Sequence, residues 1–205
     1  MLSDSYPKTL KLKDGRSAVL RLLTRDDFEQ VRAFLLDLPD EDRLFLRHDV
    51  RDPDVVRRWT EDLDLSRMIP LVALEDDSIV ATGRLYRLDH GWMRHVGHVR
   101  LITARSHRNL GLGGLITREL VALAAERDIE KLQAHVVEDS REAVRMFKTL
   151  GFETEAVLKG MVKDQHGQPR NLAIMVNDVV NLSRIMDDWI QDSMIPSFRV
   201  PGAGV

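Results

Sequence analysis

Arg108-Asn109-Leu110-Gly111-Leu112-Gly113-Gly114 is the stretch that decides how this chain is read. The run before it, Gly97-His98-Val99-Arg100-Leu101-Ile102-Thr103, is rich in β-formers. In the run after it, residues 112–127, Leu112, Leu115, Ile116, Leu120, Leu123 and Ala124 recur at helical spacing. Strand, glycine loop and helix in this order present bare backbone N–H groups to an anion. The first amides of a helix have no internal acceptor, and the helix dipole favours negative charge beside them. Gly111 and Gly113 permit unusual φ and a close approach of a ligand to the main chain. Arg108 adds a fixed positive charge.

Loops of this kind serve several phosphate-binding families, and spacing separates them. A P-loop ends in Gly-Lys-Ser/Thr, which is missing here. A dinucleotide fingerprint asks for a small residue where Ile116 stands, and it usually opens its domain, whereas this loop lies mid-chain. What remains, Arg-x-x-Gly-x-Gly, resembles the pyrophosphate loop of the GNAT acyltransferases. A second segment points the same way. Ser140-Arg141-Glu142-Ala143-Val144-Arg145-Met146-Phe147-Lys148-Thr149-Leu150-Gly151-Phe152 is similar to the GNAT helix written Asn-x-x-Ala-x-x-x-Tyr-x-x-x-Gly-Phe. Locally, Ala143, Met146, Phe147 and Leu150 form a buried helical stripe, and Gly151 is a helix-ending glycine. The resemblance spans about residues 71–177.

Composition narrows the classes. The chain has 205 residues, 43% of them hydrophobic, enough for one compact domain with a sizeable core. A net charge of -3 with interspersed signs gives no case for nucleic-acid binding. With no cysteine, disulfides, thiolate catalysis and Cys-based zinc are excluded. No segment reaches the apolar length of a membrane span, and the opening Met1-Leu2-Ser3-Asp4-Ser5-Tyr6-Pro7 has no apolar signal core, so the expected compartment is the cytoplasm.

The remaining elements follow from local signals. Residues 10–13 and 18–22 flank Asp14-Gly15 as a hairpin. Thr24 caps a helix over 25–36 whose apolar face is Phe28, Val31, Phe34 and Leu35. A short helix is expected over 39–46, and another from Pro53 to about residue 62. Strands are expected over 69–74, 79–88, 96–103 and 132–137, with a last hairpin of 152–162 and 172–176. A terminal helix is expected over 179–190. The order implies a mixed α/β sheet. With the resemblance, it implies a GNAT-type, mostly antiparallel central sheet flanked by helices, with an added C-terminal helix. Residues 1–192 read as a single acyltransferase domain, and 193–205, with two prolines and two glycines, as a mobile tail.

The resemblance implies transfer of an acetyl group from acetyl-CoA to a primary amine, by direct attack in a ternary complex. The pyrophosphate would take its donors from the amides of Arg108, Asn109, Leu110, Gly111, Leu112, Gly113 and Gly114 and from the Arg108 side chain. The pantetheine arm would pair with the strand at Leu101, Ile102 and Thr103, and a main-chain N–H near Ile102 would meet the oxyanion. Ser140 and Phe147 stand where the family places its cofactor-contacting asparagine and its acidic tyrosine. Phe147 keeps the packing and removes the acid, and Tyr6 and Tyr86 are the only tyrosines. His98 stands where many members carry a catalytic glutamate. An imidazole with pKa about 6.5 suits a general base. The other reading is a partly buried strand histidine with a hydrogen-bond partner. His107 is expected near phosphate, and Arg105 beside the 3′-phosphate. His90, His95 and His98 cluster in sequence, but strand positions three apart face opposite sides, so no metal site is expected.

The resemblance implies that acceptor choice depends largely on the early helices. They are rich in acids, among them Asp40, Glu41, Asp42, Asp49, Asp52 and Asp54, with arginines between them; a net acidic rim would attract a cationic amine, and a solvated face of mixed charge is the other reading. Residues 13–47 are loosely similar to the opening of bacterial protein-lysine acetyltransferase domains. A protein lysine and a small amine both stay open. A second function class is an acyl-CoA-binding sensor or regulatory module with weak catalysis, for which Phe147 and Ser140 speak. The terminal helix has two uses open to it, packing on its own domain or building a homodimer.

Overall fold

The computed structural model describes residues 5–44, 46 and 48–179. Strands β1 (Lys8–Lys11) and β2 (Ser17–Leu22) form the expected hairpin, with Gly15 at φ +89°. Thr24 then starts a short 3-10 turn, Arg25–Asp27, that runs into α1 (Phe28–Asp37). The Thr24 amide and hydroxyl both donate to Asp27 Oδ2, at 2.7 and 3.0 Å. Arg21 grips the same carboxylate with two bonds of 2.7 and 2.6 Å. Burial works against the charge on Asp27, but these donors outweigh it and hold its carboxyl below the usual range. The entry to α1 is thereby fastened to β2.

The second helix is shorter than expected: α2 is only Asp40–Arg43. Arg43 turns back and donates to the carbonyls of Leu36 and Leu38, at 2.6 and 2.7 Å, closing the end of α1. Helix α3 (Pro53–Glu61) has the expected proline in its first turn and Asp52 as its cap, accepting from the Asp54 amide at 3.0 Å. Strands β3 (Met68–Glu75) and β4 (Ser78–Arg87) meet at Asp76 and Asp77, both left-handed, as a tight hairpin turn requires.

Then come β5 (Val96–Thr103), α4 (Leu112–Ala125), β6 (Lys131–Val137), α5 (Arg141–Thr149), β7 (Phe152–Lys163) and β8 (Pro169–Asp178). The eight strands form one sheet in the order β1-β2-β3-β4-β5-β6-β8-β7. Every neighbouring pair is antiparallel except β5 and β6. That parallel pair shares three rungs, Val96↔Lys131, Gly97↔Leu132 and His98↔Gln133. Beyond His98 the strands separate.

Two cores sit on the two faces. One holds Leu112, Ile116 and Leu120 of α4 and Phe147 of α5 against Leu71, Leu85, Val99, Leu132 and Met175. The other holds Val31, Phe34 and Leu35 of α1 and Val56 of α3 against Val72, Leu74 and Ile79. Helix α4 lies so close to β4 that a Cβ on Gly83 would overlap Ile116 Cγ2 and sit 3.3 Å from Leu120 Cδ1. Among the described residues no helix is long and apolar enough to cross a membrane. Apart from Val179, the helix expected over 179–190 and the tail from 193 lie outside the described residues.

Candidate active site

Gly111 caps α4 in the left-handed region, at φ +85°. The first bond of the helix runs from the Leu115 amide to the Gly111 carbonyl, at 3.0 Å. The amides of Asn109, Leu110, Gly111, Leu112, Gly113 and Gly114 therefore have no protein acceptor among the described residues. The Arg108 amide is different from its expected role: it donates to the Arg105 carbonyl at 3.2 Å and so faces into the turn. Gly113 has a packing role beyond the expected one. A Cβ there would lie 2.9 Å from Leu101 Cδ2 and 3.1 Å from Met146 Sδ, so only glycine lets α4 touch both β5 and α5. Gly114 has no such restriction, with Met146 Cγ at 4.0 Å.

Two side chains join this loop that its sequence does not announce. The Lys13 amide donates to the Leu110 carbonyl at 3.0 Å, and the Lys13 stem lies 3.5 Å from where a Gly111 Cβ would be. The β1–β2 turn thus brings a second cation to the open amides. Asp42 reaches in from α2 and accepts from Arg108 at 2.6 Å. Arg105 pairs with Glu41 and lies 3.6 Å from Asp42. The two arginines expected to face phosphates are held by acids of α2. Other acids of that region pair too: Asp49 with Arg51, and Asp54 and Glu61 with Arg57. The expected acidic rim is largely self-neutralised.

His107 does not face the loop's open side. It is buried, with Nε2 2.8 Å from Glu75 Oε2 and Nδ1 2.9 Å from the Ser106 hydroxyl. Arg16 bonds the same Glu75 oxygen at 2.8 Å. The hydrogen bond from His107 and the Arg16 charge hold the Glu75 carboxyl below its usual range. This cluster ties the segment before the glycine loop to the ends of β2 and β3. Ser140 precedes α5 but makes no side-chain cap bond; its carbonyl accepts from Val144 at 3.0 Å. Phe147 is 6% exposed and packs edge-to-face on Phe152, ring centroids 5.0 Å apart.

On β5, Leu101 packs toward the α4 side, and Ile102 toward α1 and α3. His98 is on the Ile102 side, two strand positions removed twice. Its ring stacks on Tyr86 at 4.8 Å and meets His135 of β6 edge-on at 6.4 Å. Both aromatic partners were invisible as such in the sequence. Tyr6 is elsewhere, donating to Glu119 of α4 at 2.8 Å, and burial together with that carboxylate raises its pKa far above normal. Among the described residues no three metal-ligating side chains converge.

The site can be compared with known proteins. The family model described as "Acetyltransferase (GNAT) family" matches residues 32–152. No curated protein sequence matches the chain. The GNAT domain of S. lividans PAT superposes with a TM-score of 0.70 at 21% identity, over 84% of this chain and 96% of that one. A ribosomal-protein-alanine N-acetyltransferase from Brucella melitensis does so with 0.67 at 21%, over 78% and 98%. A chimeric spermidine N-acetyltransferase from Vibrio cholerae gives 0.67 at 14%, over 81% and 98%. At these identities the structures speak for the fold, and the family match speaks for the class of enzyme. The chain belongs to the GNAT acetyltransferase family and is an acyltransferase of that fold.

Proposed function

We propose that the protein transfers an acetyl group from acetyl-CoA to a primary amine by direct attack in a ternary complex, with residues 1–192 as one catalytic domain. One observation carries this reading. The gap between β5 and β6 opens beyond His98, next to six successive open amides at the start of α4. The residues fit the cosubstrate: those amides, Arg108 and Lys13 suit a pyrophosphate, and the β5 edge suits an amide-bearing arm. Alternate backbone groups of Leu101, Ile102 and Thr103 point away from β4 into the gap, as antiparallel pairing on one side requires. When bound, acetyl-CoA supplies an acyl group already activated as a thioester. His98, braced by Tyr86, takes the proton from the attacking amine.

Two expected results test these roles. The wild-type kcat/KM rises with pH through the imidazole range. His98→Gln lowers the plateau by about 100-fold and removes that rise. A mutant profile that superimposes on the wild type takes His98 out of the mechanism. Asp42→Asn frees Arg108 and binds acetyl-CoA about 5-fold more tightly in calorimetry, because a partly exposed ion pair of roughly 1 kcal/mol no longer competes. The gain shrinks at high salt. Unchanged or weaker binding would mean that Arg108 stays with α2 when the cosubstrate is bound.

Phe147 supports a second reading. Its buried ring leaves no hydroxyl at the α5 position where the family keeps its acid. An acyl-CoA-binding regulatory module would show tight acetyl-CoA binding and no thiol release with any amine. Release of the thiol with one amine of a broad panel removes that reading.

A further inference from the structure

The face of β4 and β5 turned toward α3 carries a feature that acetyl-CoA binding does not use. The register pairs Arg84 with Arg100, and Tyr86 with His98 on the next rung of the same face. Two like charges directly opposite each other disfavour a sheet. Among the described residues no carboxylate hydrogen-bonds or pairs with either guanidinium. Arg84 instead lies beneath the Trp59 ring of α3, its guanidinium carbon 3.9 Å from the ring centroid. Trp59 is braced in turn by His48, ring centroids 6.4 Å apart. Burial, and then the charge of Arg100, press the Arg84 pKa down to about 10. An arginine in this state is stabilised by an anion, and the described residues provide none. The contrast with Arg105 and Arg108 is direct, since each of those already has an acid from α2.

We propose that the Arg84–Arg100 pair, with Arg84 under Trp59, holds an anionic group of the acceptor, so that the substrate is an amine that also bears a carboxylate or a phosphate a few bonds from its nitrogen. This rests on the acyl-transfer reading given above. Position supports it: Arg100 and His98 are two residues apart on one strand face, about 7 Å along the chain. An anion gripped by the guanidinium pair leaves the amine of a small, compact molecule within reach of the His98 ring. Planar guanidinium groups bind carboxylates and phosphates through paired bonds, and Trp59 shields those bonds from water. The site therefore selects amino acids or amino phosphates over simple alkylamines. No bond is made or broken at this subsite; its role is to orient the nitrogen.

The test uses amines in matched sets: tryptophan with tryptamine, lysine with cadaverine, and phosphoethanolamine with ethanolamine. Acetylation is followed by thiol release, and acetyl-CoA affinity is measured separately by calorimetry. The expected result is that an acid-bearing member exceeds its partner in kcat/KM by about 30-fold or more, as loss of charge-assisted bonds predicts. The tryptophan and lysine sets report a carboxylate, and the phosphoethanolamine set a phosphate. Arg100→Met should collapse that ratio toward one, with acetyl-CoA affinity unaltered. A second variant, Arg100→Lys, keeps the charge and should restore part of the ratio, which a folding defect would not do. Equal use of both members, or preference for the uncharged partner, overturns the proposal. If acetyl-CoA binds and no amine is acetylated, the same sets are titrated into the protein–CoA complex, and lack of acid-dependent binding there also overturns it. Failure of acetyl-CoA to bind at all refutes instead the acyl-transfer reading.

Discussion

Gly111→Asp loses acetyl-CoA binding by about 100-fold or more, while Gly111→Asn keeps most of it. The pair isolates charge from shape. Both replacements must adopt φ +85°, and Asn and Asp are the side chains that tolerate the left-handed region best. Both place a Cβ about where ordinary contact with the Lys13 stem begins, at 3.5 Å. Only the aspartate puts a carboxylate at the mouth of six open amides and draws Lys13 into an ion pair. Loss of two charge-assisted bonds of roughly 1.5 kcal/mol each accounts for the factor. Calorimetry on both variants, with a thermal melt to confirm folding, checks it. Equal affinity of the two would remove the pyrophosphate from this loop.

Gly83→Ala destabilises the fold by about 3 kcal/mol, the upper end for an added methyl in a close-packed core. The new methyl would overlap Ile116 Cγ2 and crowd Leu120 Cδ1, and both of those side chains belong to the helix that presents the open amides. Relief requires α4 to lift from β4, which also moves the glycine loop. Urea unfolding should show the loss, and the melting temperature should fall by roughly 6–12 °C. Gly114→Ala is the control, since its nearest contact is at 4.0 Å. It should change stability by less than about 0.5 kcal/mol. A Gly83→Ala protein as stable as the wild type would show that α4 does not press on β4 as described.

The elements were legible where the signal is local. Thr24 and Pro53 announce helices because the turn after Thr24 lets the Asp27 carboxylate take the Thr24 amide, and a proline fits a first turn whose N–H needs no partner. The strand–loop–helix at residues 96–125 shows in the change of apolar period from two to about 3.6 and in its glycines. What sequence does not display is partnership across distance. Asp42 meets Arg108 across 66 positions, and His107 meets Glu75 across 32. Each of these residues looks alone like a solvated charge or a phosphate ligand. Arg100 is the instructive case. It stands two positions from His98, so its face could be read from the strand period. Its meaning came only with the register that sets Arg84 opposite and the helix that sets Trp59 above. Ser140 shows the reverse limit, since a residue type favoured at caps makes no cap bond here.

The three shared rungs of β5 and β6 make the sheet two plates, β1 to β5 and β6 to β8, joined along a narrow hinge of backbone. A cosubstrate lying in the gap would act as a short ninth strand made of something other than protein. Its amides would complete the ladder that the polypeptide leaves open, and the two plates would then share a longer seam. Binding and folding are linked in such a design: a ligand at 100 times its dissociation constant adds about 2.7 kcal/mol to the stability of the whole sheet. The unliganded protein would then be the less stable of two states.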